Sequence, residues 1–232
     1  MFWVVIISLL TAVAAFYAKR FGRPDALAAL YVTLVLFANI AASKTIEFNL
    51  GFTKLFAPAT VIIFAVTFLL TGIVNERFGR KEAQRMILTA VFCQLSLVVF
   101  TIFILRAVPA PFFTNQVAFE NVLGIVPRII AASLIAFFIS ENTDAYLFAG
   151  LRKLTNNKHL WMRGAFAALP AMVIDSTIFI TLAFYGIMPT LPLIIGQTII
   201  KWLIGIIDIP FMYLARRILG KTFLENGEVK VV

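Results

Sequence analysis

Apolar residues in this chain run together in long stretches instead of alternating or returning at every third and fourth position. Seven blocks stand out, approximately Phe2 to Ala18, Asp25 to Ser43, Ala57 to Asn75, Met86 to Leu105, Ile125 to Phe148, Gly164 to Ile187 and Leu191 to Ala215. A helix rises ~1.5 Å per residue, so ~20 apolar residues cross the ~30 Å hydrocarbon core of a bilayer. Every block comes within reach of that length, the first being the weakest. A membrane barrel would show ~10-residue segments of alternating polarity, and none is visible. The pattern therefore predicts an all-α polytopic integral membrane bundle of seven transmembrane helices.

Lys and Arg set the orientation of that bundle. Lys19, Arg20 and Arg23 follow block one, and Arg77, Arg80, Lys81 and Arg85 follow block three. Arg152, Lys153, Lys158 and Arg163 follow block five, and Arg216, Arg217, Lys221 and Lys230 follow block seven. The alternate loops hold only Lys44, Lys54 and Arg106. Because cytoplasmic loops collect basic residues, the N-terminus is expected outside and the C-terminus inside, in the cytoplasmic (inner) membrane. Six helices would leave one basic loop on the wrong face. Block one has no basic stretch ahead of its apolar run and is read as a retained helix, not a signal peptide. Residues 1–220 are read as a single transmembrane domain and 221–232 as a short cytoplasmic tail.

Composition narrows the class further. Apolar residues make up 62% of the chain, against roughly 45–50% in soluble domains. The net charge of +9 would suggest nucleic acid for a soluble protein; here it reflects basic loops, and no nucleic-acid partner is expected. A single cysteine, Cys93, and a single histidine, His159, exclude an internal disulfide and a thiolate zinc site. No Gly-rich phosphate loop, HExxH or GxSxG is present. With no nucleophile, base and orienter at usable spacing, no catalytic residue, cofactor or metal is expected, and the chain is not read as an enzyme.

Ionisable residues inside apolar helices are costly unless paired or wet, so they mark candidate sites. Block five carries Glu141 and Asp144, three apart and on one helix face. Asp175 sits near the middle of block six, and Gln197, Lys201 and Asp208 share one stripe of block seven. Counting from the block ends places Asp175 ~16 Å from the inner end and Lys201 ~15 Å from the outer end. The two therefore meet near the midplane and are expected to pair. Glu141, Asp144 and Asp208 fall in the inner half, and Arg128 at the outer end of block five. The acidic residues outnumber the basic ones across these helices, and an excess of acceptors in a low dielectric calls for a cation, a proton or a donor-rich ligand. Pro170 and Pro210 lie beside Asp175 and Asp208 and free backbone carbonyls there. Asn39 and Gln94 are further polar candidates, although one Asn or Gln in a membrane helix more commonly bonds a neighbouring helix.

Several runs carry a family likeness. Ala38-Asn39-Ile40-Ala41-Ala42-Ser43-Lys44, the stretch from Asn75-Glu76-Arg77 through Phe78-Gly79 to Arg85, Ser140-Glu141 with Asp144, Leu151-Arg152, and Asp175-Ser176 occur in that order. Together they resemble the queuosine precursor transporter family, also called vitamin uptake transporters. The likeness extends from block two to Asp208. The family's loop reads Asp-Ile-x-x-Glu before Tyr-Gly; this chain has Gly72-Ile73-Val74-Asn75-Glu76 and then Phe78-Gly79, so Gly72 stands where the family carries an acid.

The resemblance implies uptake of a 7-cyano- or 7-aminomethyl-7-deazaguanine precursor for transfer-RNA modification. A carboxylate can accept the adjacent N–H groups of a guanine-like ring in a paired geometry. Asn39, Gln94, Glu141, Asp144, Asp175, Gln197 and Lys201 are the candidate substrate-binding residues, with Phe179 or Tyr146 available to stack. Asn75, Glu76, Arg128 and Asp208 are candidates for coupling or gating. The expected partners are a purine-like small molecule, a coupling proton or sodium ion and membrane lipid, with a homodimer left open. The alternative is a substrate-binding subunit of an energy-coupling-factor importer, which would dock through small-residue faces such as Ala12 to Ala15 and Ala26 to Ala29.

Overall fold

Long apolar runs with few internal breakers produce helices at six of the seven blocks. The computed structural model describes residues 12–13, 16–17, 20–49, 51, 53–154, 160–219, 222–225 and 228–231, so block one falls largely outside the described residues. Side chains are described except at 65, 68, 69, 76, 145, 148, 149, 151–154, 160–167 and from 207 onward. In chain order the elements are α1 (Asp25–Ala41), β1 (Thr45–Asn49), β2 (Lys54–Pro58), α2 (Thr60–Phe78), α3 (Arg80–Arg106), α4 (Gln116–Leu123), α5 (Val126–Leu154), α6 (Leu160–Phe184), α7 (Thr190–Leu219), β3 (Thr222–Glu225) and β4 (Glu228–Val231).

Arg80–Arg106 and the stretch Gln116–Asp144 are long and apolar enough to cross a membrane, and Asp25–Ala41, Ala168–Phe184 and Thr190–Ile206 are shorter apolar helices. Along α3, Leu88, Phe92, Val99 and Phe103 are all exposed. Water does not tolerate so continuous an apolar face, whereas lipid does.

Three departures from the expected arrangement bear on the fold. Arg77, Arg80, Lys81 and Arg85 were expected in a loop; instead α2 runs to Phe78 and α3 starts at Arg80. Only Gly79 separates them, at φ +87°. A left-handed φ is open to glycine without the steric cost a side chain brings, and the Gly79 amide donates to Asn75 O at 3.1 Å. The second departure is the antiparallel hairpin β1–β2, with Thr45 opposite Pro58 and Asn49 opposite Lys54. Its turn is set by the Gly51 amide donating to Asn49 Oδ1 at 2.9 Å, with Gly51 at φ +87°. Lys54 and Glu47 form an exposed ion pair at 2.8 Å across the strands. The hydrogen bond from Lys54 first, and the Glu47 charge second, hold the ammonium above its ordinary lysine pKa. The third departure is in the expected polar tail, where β3 and β4 pair with Thr222 opposite Val231.

Packing divides the chain into two compact units: Met1–Asn39, Ile62–Leu97 and Ile204–Val232 form one, and Ile40–Val61 with Val98–Leu203 the other. In the first, Leu27 of α1 packs with Val66, Leu70, Ile73 and Val74 of α2 and Ala83 and Met86 of α3. In the second, Ile129, Ala132 and Ala136 of α5 meet Phe179, Ile180, Ala183 and Phe184 of α6, with Ala42 and Leu193 of α7. Ala132, Ala136 and Ala183 are small enough to let these two helix backbones approach closely. The hairpin belongs to this unit and buries Leu55, Ala57 and Pro58.

Gly72 and Gly196 show opposite uses of a missing side chain. A Cβ at Gly72, inside α2, would meet nothing within 4 Å, whereas one at Gly196 would collide with the backbone carbonyl of Phe56. Gly72→Ala is therefore expected to raise stability by about 0.5–1 kcal/mol through the backbone-entropy term alone, read as a higher melting temperature in detergent.

Candidate functional site

Among the described residues, the second unit holds the buried ion pair. Arg128 near the start of α5 donates from Nε to Leu182 O at 2.7 Å and from Nη2 to Tyr185 O at 2.8 Å. It thereby caps the C-terminal end of α6, where helix carbonyls lack partners and the dipole favours a cation. Further along the same antiparallel pair, Ser140 of α5 reaches Asp175 of α6. The Ser140 Oγ lies 3.1 Å from Phe137 O and 3.4 Å from Asp175 Oδ1. From the other side Lys201 of α7 places its Nζ on Asp175 Oδ2 in an ion pair. The Lys201 side chain is 8% exposed and that of Asp175 21%.

The expected meeting of Asp175 and Lys201 thus occurs, ~14 Å from the end of α6 and ~16 Å from the start of α7 at 1.5 Å per residue. Two ions removed from water recover that cost only when they pair well and their remaining valences are satisfied. Here one carboxylate oxygen takes the ammonium and the other faces a hydroxyl. Sequence reasoning did not assign Ser140 to this site; its contact becomes visible only once the α5–α6 register is known.

Two more carboxylates stand on α5. Glu141 is exposed and within electrostatic reach of Asp144 and Asp175. Among the described residues neither Glu141 nor Asp144 has an ion-pair partner. Gln197, one turn before Lys201 on α7, is buried, with no partner for its Oε1 among the described residues. Phe179, one of the two suggested stacking residues, is buried and packs edge-on against Phe184 with centroids 5.9 Å apart, so its ring is already engaged in the core; Tyr146 is exposed.

Asn39 and Gln94 belong to the first unit, where they bond each other. Asn39 Nδ2 donates to Gln94 Oε1 at 3.1 Å and to Val35 O at 2.9 Å, tying α1 to α3 in the core. A single change to Leu at either position strands a buried amide and is expected to cost about 1–3 kcal/mol. The double change Asn39→Leu with Gln94→Leu should cost less than the two summed, as a double-mutant cycle of melting temperatures would report. Asn75 is exposed near the end of α2 and its carbonyl receives Gly79 N–H. The side chains of Glu76 and Asp208 lie outside the described residues, as does that of Pro210; Pro170 is inside α6, which continues through it.

Apolar helices with exposed faces, and an ion pair held partway along them, are compatible with a helical membrane bundle. The family model described as "Putative vitamin uptake transporter" matches residues 58–215. The chain belongs to this family of membrane transporters. It is also 27% identical over 226 residues to a "Probable queuosine precursor transporter" of Bacillus subtilis (strain 168), covering 94% of this chain and 95% of that protein. No solved structure matches the chain.

Proposed function

We propose that this protein imports queuosine precursors, 7-cyano- or 7-aminomethyl-7-deazaguanine, across the cytoplasmic membrane as a secondary transporter. The observation that carries the reading is the Asp175–Lys201 ion pair, set partway along apolar helices with Ser140 on the second carboxylate oxygen. Charge at that depth is retained where solutes or ions pass. The name of the Bacillus subtilis relative supplies the solute class. Glu141 and Asp144 bring further acceptor capacity on the same unit, suited to a donor-rich ring or to the ammonium of an aminomethyl precursor. Asp175, Glu141, Asp144 and Gln197 are the substrate- or proton-binding groups in this reading, with Lys201 as the ion-pair partner of Asp175. Alternating access then carries the solute, coupled to a proton or sodium gradient.

Purified protein in liposomes tests it. Labelled 7-aminomethyl-7-deazaguanine should accumulate against its gradient when a proton or sodium gradient is imposed, with no ATPase present. Absence of uptake of either precursor under both gradients would refute the reading, and uptake only after adding coupling ATPases would return the importer-subunit alternative, which the comparisons do not favour.

A further inference from the structure

Several hydroxyls in the described helices bond a carbonyl of the preceding turn, Thr67 and Ser140 the one three residues back. Thr33, Thr71, Thr89, Ser96, Thr143 and Thr177 each bond the carbonyl four residues back, at 2.8–3.0 Å. Ser176 and Thr198 do not. Ser176 is wholly buried and Thr198 is 7% exposed, yet neither hydroxyl has a partner among the described residues. The same holds for Oε1 of Gln197, which is 2% exposed. Buried polar atoms are paired in the great majority of cases, and an orphan in a low dielectric is costly. All three orphans fall within one helical turn of the ion pair. Ser176 follows Asp175, while Gln197 and Thr198 precede Lys201 by four and three positions.

Asp175 is already engaged by Lys201 and Ser140, so these atoms do not await a counter-charge. Their chemistry states what they lack. Gln197 Oε1 accepts only, and so requires a donor; a serine or threonine hydroxyl whose local carbonyl is not taken has a proton to give, and so suits an acceptor. We infer that Ser176, Gln197 and Thr198 form a hydrogen-bonding subsite beside the ion pair for an uncharged ligand edge carrying an N–H next to a C=O, a lactam or cis-amide. The assignment rests on the uptake reading and refines it. The carbonyl edge of a deazaguanine is read by neutral groups on α6 and α7, separately from any contact with the α5 carboxylates.

The test measures stability and affinity together on the full chain in detergent, for wild type, Ser176→Ala and Thr198→Val. A hydroxyl held in reserve for a ligand contributes nothing to the empty protein, so both variants should keep or raise the ligand-free melting temperature. Both should weaken binding of 7-aminomethyl-7-deazaguanine and guanine by at least about fivefold, the scale of one lost hydrogen bond. 2,6-Diaminopurine, which replaces the lactam with an amino group beside a bare ring nitrogen, should bind wild type at least tenfold more weakly than guanine. Variants that melt lower while binding unchanged would show that the hydroxyls serve internal structure and would overturn the subsite. So would a wild type that binds no lactam in the set. Guanine binding without transport of either deazaguanine would sink the uptake reading and leave the subsite standing.

Discussion

Asp175→Asn is expected to abolish uptake and to cost about 3–5 kcal/mol of stability, because it leaves the buried Lys201 ammonium facing an amide in place of a carboxylate. Removing one member of a buried pair deprives the other of its counter-charge in a low dielectric. The informative comparison is the double change Asp175→Asn with Lys201→Met. It should recover most of the melting temperature, because replacing both ions of a buried pair by neutral groups is often near neutral, while uptake stays absent. Recovery of uptake in the double variant would remove the ion pair from the transport mechanism and leave it a structural feature only.

Gly196→Val is expected to unseat the hairpin β1–β2. The Phe56 backbone already occupies the space a Cβ would take, and the close neighbours there are main-chain atoms that cannot rotate away. Either the hairpin or α7 must shift, at a cost of roughly 1–3 kcal/mol for overpacking. The hairpin has few means to absorb the displacement. Its base is held by the Ala59 amide donating to Lys44 O at 2.8 Å and by Thr45 Oγ1 against Met188 Sδ at 3.3 Å. Because Gly196 immediately precedes Gln197, the substitution should also lower ligand binding. Faster protease cleavage between Asn49 and Lys54, measured beside the melting temperature, would report the displaced hairpin directly. A Gly196→Val protein with unchanged melting and cleavage would show that the contact is not needed to seat the hairpin.

The pair Asp175 and Lys201 was legible because depth in an apolar helix can be counted from its ends at a fixed rise per residue. Bonding between Asn39 and Gln94 was not, since 55 residues separate them and nothing in either helix states which faces meet. Ser140 and Arg128 fall in the same category. Their partners lie across the α5–α6 contact, whose register follows from the packing of Ala132, Ala136 and Ala183 against neighbouring side chains. The hairpin β1–β2 left a local trace in Asn49-Leu50-Gly51. Strands this short are too weak a signal beside blocks four times their length.

Solvent preference is a sum over residues, so the order of amino acids was enough to specify a predominantly helical membrane protein and to place carboxylates and an ammonium deep within its helices. Pairing is a property of surfaces that meet. Which amides closed on each other and which hydroxyls stayed unbonded were decided when helices distant in the chain came into register, because hydrogen bonds depend on distance and angle and no single helix contains both partners.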